Sequence, residues 1–297
     1  MLKFSIILPT FNRAHMIHNA IESVLSQTRQ DWELIIIDDG SIDDTKHLVE
    51  KYIKKDGRVK YFFQKNQERS AARNNGIKKA KGDWICFLDS DDFYHICHLE
   101  EFCNLINKNN GNKGIYFSGL SKGEYSEELE QYNMTFKSNL EFVILNTIGT
   151  PRACVHKEIL LKYKFDEKIR NGEDRELWVR ILKDFPLFFH KNKTFIEIEH
   201  PNRSINLESL KFSLKTLKHI LTSNKPFIRR NVKKKALSNA YFNISKQEIK
   251  NQKIISAIFF LILSLIKSIF NNQSKHKFLL LISLFFNLNN KIVNEYK

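Results

Sequence analysis

A short apolar run that ends in a cluster of acids constrains this chain more than any other feature. Residues 84–88 are apolar, and Asp89, Asp91 and Asp92 follow directly. The run predicts a buried strand, and acids at its carboxyl end would lie in the crevice where open α/β sheets bind ligands. Carboxylate oxygens on a short turn suit Mg²⁺ or Mn²⁺, which take further ligands from water and a diphosphate. The alternative is a solvated acidic turn that caps the next helix. In either case we expect Asp92 to be structural and to cap a helix that begins near Phe93.

The same arrangement of apolar run and acids occurs earlier, within an alternation of strands and helices. Strands are predicted at residues 4–9, 34–37, 59–63 and 84–88, and helices at residues 14–27, 43–55 and 70–81. In the first helix the apolar residues recur at spacings of three and four, as on a helix packed against a sheet. Strands that alternate with helices in this way form parallel sheets through right-handed crossovers. The pattern predicts an α/β fold of nucleotide-binding type.

Five motifs give the chain a family resemblance. They are SIILPTFNR at residues 5–13, DDGS at 38–41, ARNNG at 72–76, DSDD at 89–92 and GED at 172–174. In this order and spacing they resemble family 2 of the nucleotide-sugar glycosyltransferases, over roughly residues 3–205. The resemblance implies an inverting enzyme of GT-A fold, which is Rossmann-like with a mostly parallel sheet flanked by helices. It also implies a nucleotide-sugar half at about residues 1–95 and an acceptor half at about residues 96–205.

The resemblance implies that the first two motifs bind the nucleotide. Pro9, Phe11 and Asp39 would cradle the base and the ribose. An ionised Asp39 accepts hydrogen bonds only, so it would accept one from a base N–H such as the imide of uracil. Asp38 and Ser41 also have a structural interpretation, in which Asp38 fixes the turn and Ser41 caps the helix that follows.

Arg73 and the acids after residue 88 would contact the diphosphate and a metal ion. The guanidinium of Arg73 can pair with a diphosphate oxygen or stack on the base, and an ordinary surface arginine is the alternative. In the family, the last acid of the Asp-x-Asp motif contacts the metal, which implies Asp91 as a ligand of Mn²⁺ or Mg²⁺. Asp89 would then contact the ribose or the metal's water shell. His200 is a candidate third ligand, against a plain loop histidine, and Arg203 would lie near the diphosphate.

The catalytic base is implied by residues 171–180, NGEDRELWVR. Inversion needs a base on the face of the sugar opposite the leaving group, where it takes the proton of the acceptor hydroxyl. By resemblance this base is Asp174, and Glu173 lines the acceptor or donor-sugar site. The alternative for both is an acid favoured at a helix start by the macrodipole. The Gln-x-x-Arg-Trp motif of processive family members is absent from the sequence, so transfer of a single sugar is expected.

The last third of the chain lies outside the resemblance and is strongly basic. Residues 201–297 hold 18 Lys and Arg against 3 Asp and Glu, whereas residues 1–200 hold 30 of each. Two apolar runs, at residues 254–266 and 278–288, are shorter than the roughly 20 residues that span a bilayer. Apolar helices flanked by lysines suggest attachment to an anionic leaflet, and the alternative is a hairpin that packs on the catalytic domain or a second copy. We expect a catalytic domain at residues 1–205 and a helical, membrane-associating or oligomerising extension at residues 206–297.

These features favour an enzyme that works at the inner face of the cytoplasmic membrane. The family resemblance implies transfer of a hexose or N-acetylhexosamine, with UDP as the favoured carrier, to a glycan or lipid-linked glycan in surface polysaccharide or lipo-oligosaccharide synthesis. The alternative is a catalytically silent nucleotide-sugar-binding subunit of a membrane assembly. Four cysteines without metal-site spacing and a start without a signal-peptide pattern predict a cytoplasmic location. The acidic pocket and the lack of RNA-binding motifs argue against nucleic acid as a partner.

Overall fold

The computed structural model describes residues 3–119, 136–146, 148–190, 192–198, 206–268 and 272–286. The candidates His200 and Arg203 lie outside these residues. The chain divides into two compact units. The first comprises Met1–Asn139, Thr147–Ile169 and Glu173–His200, and the second Leu140–Asn146, Arg170–Gly172 and Pro201–Lys297. Every other candidate site residue belongs to the first unit.

The first unit is built on a seven-stranded sheet with the order β3-β2-β1-β4-β7-β6-β8. The strands are β1 (Phe4–Thr10), β2 (Trp32–Asp38), β3 (Val59–Phe63), β4 (Trp84–Phe87), β6 (Ile115–Phe117), β7 (Ala153–His156) and β8 (Leu187–Phe189). Strand β7 runs antiparallel to both β4 and β6, and the other pairs are parallel. Two short strands, β5 (Phe93–Tyr94) and β9 (Phe195–Ile196), form a separate antiparallel pair. The mostly parallel sheet confirms the predicted α/β architecture.

Seven helices connect these strands in the described part of the first 181 residues. They are α1 (Ile17–Leu25), α2 (Thr45–Lys55), α3 (Glu68–Lys79), α4 (His98–Lys108), α5 (Phe136–Leu145), α6 (Lys157–Lys162) and α7 (Glu173–Ile181). The first helix begins three residues later than the pattern predicted, at Ile17 instead of residue 14. The backbone N–H groups of Asn12 and Ala14 donate to side chains of the loop after β2, and that of Arg13 donates to Thr45 of α2. These residues therefore belong to a loop.

The core lies between the central strands and the flanking helices. All seven residues of β2 are buried, as expected for a parallel strand covered on both faces. On one side, Leu8 and Ile36 pack with Ile21 of α1 in a single apolar cluster. On the other, α3 approaches β1 so closely that a Cβ atom at Gly76 would lie 2.5 Å from Cγ2 of Ile7. This close approach fixes the position of α3, which carries Arg73.

Two local predictions about helix capping are wrong. No helix begins at Phe93, because Phe93–Tyr94 forms strand β5 and the next helix starts at His98. Asp92 instead accepts a hydrogen bond from the N–H of Ile198 at 3.1 Å, a contact across more than 100 residues that local sequence cannot indicate. Ser41 does not cap α2, since its Oγ accepts from the N–H of Asn12 at 2.8 Å.

The second unit consists mainly of four helices in its described part. They are α8 (Leu207–Ser223), α9 (Arg230–Lys250), α10 (Ile254–Lys267) and α11 (Asn272–Phe286). Leu214 of α8 packs with Tyr241 and Ile244 of α9, and Leu261 of α10 packs with Leu280 of α11. Among the helices that the structure describes, none combines the length and the hydrophobicity needed to cross a bilayer.

Candidate active site

The loop after β1 is held by the loop after β2. Asn12 has a left-handed backbone with φ 51°. Its side-chain Oδ1 accepts from the N–H of Ile42 at 2.9 Å, while its own N–H donates to Ser41. These bonds fix the loop that follows Pro9, the last apolar residue of β1, and they keep the ring of Phe11 exposed. An exposed aromatic ring on a fixed loop is suited to stacking on a planar group.

Asp38 has the structural role that the sequence left open. Its carboxylate is buried, with Oδ1 accepting from the N–H of Ser41 at 2.8 Å and Oδ2 from the hydroxyl of Tyr61 at 2.6 Å. Burial, together with this bond to Asp38, raises the pKa of Tyr61 and keeps the hydroxyl protonated. Both carboxylate oxygens are thus engaged in holding the turn.

Asp39 is oriented by a chain of amides that the sequence did not indicate. Its Oδ1 accepts from Nε2 of Gln64 at 2.7 Å and from the N–H of Gln67 at 2.9 Å. The amide oxygen of Gln64 accepts in turn from Nδ2 of Asn75 at 2.8 Å. Both of these hydrogen bonds are accepted by the same oxygen of Asp39, Oδ1. Glutamine after a strand carries no spacing signal, and only the pairing of β2 with β3 brings Gln64 next to Asp39.

Arg73 joins the acidic turn after β4 to the start of α7. The guanidinium is buried and donates from Nη1 to Oε1 of Glu173 at 2.9 Å and from Nη2 to Oδ1 of Asp89 at 2.9 Å. It also lies 5.6 Å from the centre of the Phe165 ring. Burial by itself lowers the pKa of Arg73, but the charges of Asp89 and Glu173 outweigh it and raise the pKa. Arg73 is therefore not an ordinary surface arginine.

The residue after Arg73 holds the segment that leads towards α7. Asn74 donates from Nδ2 to the carbonyl of Phe165 at 3.0 Å and to Oε1 of Glu167 at 2.9 Å. Its Oδ1 accepts from the N–H of Phe165 at 3.0 Å. Helix α3 thus binds Glu173 through Arg73 and the preceding segment through Asn74. Spacing in the sequence could not reveal the role of Asn74, because its partners lie more than 90 residues away.

Asp174 lies on the first turn of α7, and packing of the helix fixes its position. Trp178 is buried and donates from Nε1 to the carbonyl of Ile148 at 3.0 Å. Oδ1 of Asp174 accepts from the N–H of Arg175 at 2.6 Å. Burial and the neighbouring charge of Glu173 raise the pKa of Asp174 to about 6. A carboxylate that titrates near neutrality is suited to accept a proton during catalysis.

The acids after β4 offer oxygen ligands for a hard cation. Asp89 and Asp91 are partly exposed, whereas Asp92 is buried and accepts from the N–H of Ile198. Within the described residues there is no cluster of three or more His, Cys, Asp or Glu that could hold a metal. Two carboxylates nevertheless fit Mg²⁺ or Mn²⁺, which keep several waters and take further oxygens from a substrate diphosphate.

The structure brings part of the predicted site together by direct bonds. Arg73, Asp89 and Glu173 form one hydrogen-bonded group, and Asp174 follows Glu173 in the chain. Asp39 lies at the end of β2 beside β1, where its N–H donates to the carbonyl of Thr10 at 2.8 Å. Asp39 and Asp89 follow the carboxyl ends of β2 and β4, the two strands that flank β1, and such strand ends are where open α/β sheets bind ligands.

Comparison with known proteins places the chain in a family. Residues 5–156, just over half of the 297 residues, match the family model for Glycosyl transferase family 2. An uncharacterized glycosyltransferase of Rickettsia bellii is 40% identical over 185 residues, which is 60% of this chain and 26% of that protein. The GalNAc(5)-diNAcBac-PP-undecaprenol beta-1,3-glucosyltransferase of Campylobacter jejuni is 31% identical over 64% of this chain and 63% of its own length. The match therefore spans less than two thirds of either relative.

Solved structures agree with this assignment at the level of the fold. TarS of Staphylococcus aureus in complex with UDP superposes with a TM-score of 0.62 at 17% identity, covering 99% of this chain and 89% of that chain. The mannosyltransferase PcManGT of Pyrobaculum calidifontis, in complex with GDP-Man and Mn²⁺, has a TM-score of 0.64 at 13% identity and covers 99% and 83%. The expected GT-A fold is confirmed, and with the matching family model it means that the chain belongs to glycosyltransferase family 2.

Proposed function

We propose that the chain is a metal-dependent, inverting glycosyltransferase that moves one sugar from a nucleoside-diphosphate sugar to a glycan hydroxyl. The observation that carries this proposal is the Arg73 bridge. It links Asp89, on the turn expected to face the donor, to Glu173, which precedes the expected base Asp174. A single buried guanidinium therefore fixes the donor side and the base side relative to each other.

We infer that the nucleotide lies at the ends of β1 and β2, with a UDP-sugar as the favoured donor. Pro9 and Phe11 would border the base, and Asp39 would accept a hydrogen bond from it. The amides that hold Oδ1 of Asp39 orient the carboxylate before any ligand binds. The UDP named in the TarS complex supports this choice of carrier. Asp89 would contact the ribose or the metal's water shell, and Arg203 stays a predicted contact of the diphosphate.

The acids after β4 would hold Mn²⁺ or Mg²⁺, with Asp91 as ligand and His200 as a predicted further one. The bound ion would offset the charge that grows on the departing diphosphate. The Mn²⁺ named in the PcManGT complex supports this cofactor. In this arrangement Arg73 pairs with both Asp89 and Glu173, so it offsets part of their charge and keeps both carboxylates oriented.

Asp174 would remove the proton of the acceptor hydroxyl. As the acceptor oxygen forms its bond to the anomeric carbon, the bond from that carbon to the diphosphate breaks and the proton passes to Asp174. The raised pKa of about 6 leaves Asp174 mostly ionised at neutral pH while making it a stronger base than an exposed aspartate. Glu173 would line the sugar site and, through its charge, contribute to that raised pKa.

We infer that the acceptor is a lipid-linked glycan at the inner face of the cytoplasmic membrane. The Campylobacter relative is named for a glycan linked to undecaprenol diphosphate, which supports this acceptor class. The chain would then serve surface polysaccharide or lipo-oligosaccharide synthesis as a peripheral membrane protein. In this proposal residues 1–205 are catalytic and residues 206–297 bind the membrane or a second copy.

The decisive experiment measures nucleotide release from a panel of UDP-, GDP-, dTDP- and CMP-sugars with Mn²⁺ or Mg²⁺ and a membrane extract as acceptor source. We expect release from one donor, loss of release in Asp174→Asn and Asp91→Asn, and loss on chelation. Asp184→Asn is the matched control, because Asp184 is exposed and pairs with Lys162 away from the site. Donor binding without release from any donor would instead favour a catalytically silent nucleotide-sugar-binding subunit.

A further inference from the structure

Helix α10 exposes a continuous apolar stripe. Ile255, Phe259, Ile262 and Ile266 are 88%, 57%, 38% and 64% exposed. Their spacings of four, three and four place them within about 60° of one another around a helix. We call these four residues the α10 stripe. Helices at a protein surface normally carry polar residues on the solvent side, so an apolar stripe in that position needs a partner.

The opposite face of α10 is already occupied. Ala257, Leu261 and Ser264 are fully buried, and they lie on the side of the helix facing away from the stripe. Ser264 donates from Oγ to the carbonyl of Ser238 on α9 at 2.8 Å, and Ser238 donates back to the carbonyl of Ser264 at 2.9 Å. The rotation of α10 about its axis is thus fixed by α9, and the stripe cannot turn inwards without breaking these bonds.

The charges around the stripe are positive. Lys250 and Lys253 are exposed just before α10 begins, and Lys267 is its last residue. No acidic residue occurs between residues 249 and 294. Lysines at both ends of an apolar face are complementary to an anionic surface, and each contributes to attraction by anionic lipid.

We propose that α10 lies along an anionic lipid bilayer, with the α10 stripe inserted below the headgroups and Lys250, Lys253 and Lys267 among them. The helix has 14 residues and is about 21 Å long, shorter than the roughly 30 Å hydrocarbon layer, so it would lie in the interface. The inference rests on the proposed membrane-proximal function and adds the surface that contacts lipid. It does not depend on the donor or the acceptor sugar.

A second copy of the chain fits this surface less well. Pairing two α10 stripes would bring the lysines of two strongly basic segments together, since residues 201–297 hold 18 basic against 3 acidic residues. Like charges that face each other across an interface are unfavourable, whereas phospholipid headgroups supply the opposite charge. The charge pattern therefore favours the bilayer.

Flotation of the full-length chain with vesicles, without donor or acceptor, tests the proposal. The vesicles contain equal parts of phosphatidylcholine and phosphatidylglycerol, or phosphatidylcholine alone. We expect flotation with the anionic vesicles, and a roughly 100-fold weaker partition for the triple variant Ile255→Ser, Phe259→Ser, Ile266→Ser. Replacing Lys250, Lys253 and Lys267 with glutamine is expected to weaken binding about fivefold per charge at low salt. The matched control replaces exposed Phe63, Ile96 and Leu161 of the first unit with serine, and it should float as the unmodified chain does.

A depth measurement keeps the test independent of any loss of folding. Phe259→Trp retains a large apolar side chain, and the three natural tryptophans, Trp32, Trp84 and Trp178, are buried. We expect lipids brominated on their acyl chains to quench the new tryptophan. Lack of quenching, or a stripe-dependent dimer in sedimentation without vesicle binding, would overturn the proposal. Nucleotide release would still report separately on the proposed glycosyl transfer.

Discussion

Removing the guanidinium of Arg73 should destabilise the first unit by leaving a buried charge without its main partner. The side chains of Arg73 and Glu173 are 4% and 6% exposed, and their atoms Nη1 and Oε1 are 2.9 Å apart. In Arg73→Met, Glu173 keeps an ion pair with Arg69, whose Nε lies 3.9 Å from Oε1 of Glu173. Methionine fills most of the space of the arginine stem, so the change mainly removes charge.

The magnitude follows from the burial of the two carboxylates. Breaking a buried ion pair by removing one partner typically costs about 3 to 5 kcal/mol, because the other charge stays out of water. Asp89 is 34% exposed and can hydrate, so losing its bond adds no more than about 1 kcal/mol. We therefore expect Arg73→Met to lower the free energy of unfolding by roughly 3 to 5 kcal/mol, a large part of the total stability of a typical domain.

Urea unfolding followed by tryptophan fluorescence measures this loss. All three tryptophans, Trp32, Trp84 and Trp178, belong to the first unit, so their emission reports on that unit. A double-mutant cycle with Glu173→Gln isolates the pair, and we expect a coupling of about 1.5 to 3 kcal/mol. Arg69→Met is the matched control and should cost less than about 1 kcal/mol, because that side chain is partly exposed and its contact is long.

A loss below about 1 kcal/mol for Arg73→Met, or a coupling near zero, would contradict the argument. Either result would mean that Glu173 is hydrated or paired in another way, so that Arg73 does not hold it. The Arg73 bridge could then no longer be the link between Asp89 on the donor side and Glu173 on the base side.

Three further predictions concern catalysis, acid stability and packing. Because Asp174 must be ionised to take a proton and its pKa is about 6, kcat/KM should fall about tenfold per pH unit below pH 6, and a flat profile would exclude Asp174 as the base. Burial lowers the pKa of His190 to about 4 from an ordinary 6.5, so its contribution to stability is present above pH 6.5 and is lost as the pH falls to 4. His190→Phe should flatten the stability profile in that window by up to about 3 kcal/mol, whereas an unchanged slope in chemical denaturation would refute this. Gly76→Ala should lower the free energy of unfolding by about 1 to 2 kcal/mol. The new methyl group would clash with Ile7, and this cost outweighs the gain in helix propensity of about 1 kcal/mol. Gly57→Ala is the control, because no atom lies within 4 Å of the Cβ position there.

The regular parts of the nucleotide-binding half were predictable because their signals are local. Continuous apolar runs predicted β1, β2 and β4, and apolar spacings of three and four predicted α1. Local patterns failed where a distant group provides the bond, as at Asp92, which the N–H of Ile198 engages. The start of α1 also involves partners distant in the sequence, since the N–H groups of Asn12 and Ala14 donate to Ser41 and Asp43 of the loop after β2.

The sequence alone determined the order of strands and helices as far as β4, the acids at strand ends, and the concentration of positive charge in the last third. These properties depend on residues that are neighbours along the chain. Hydrophobic periodicity predicts the strands and helices, and the charges can be counted directly. Only the tertiary structure decided which acids Arg73 holds, because residues 73, 89 and 173 meet through the packing of α3 on β1 and the placement of α7. It also decided which side of α10 is exposed. That helix is apolar almost all round, so its sequence cannot distinguish its faces, and the contacts with α9 made the choice.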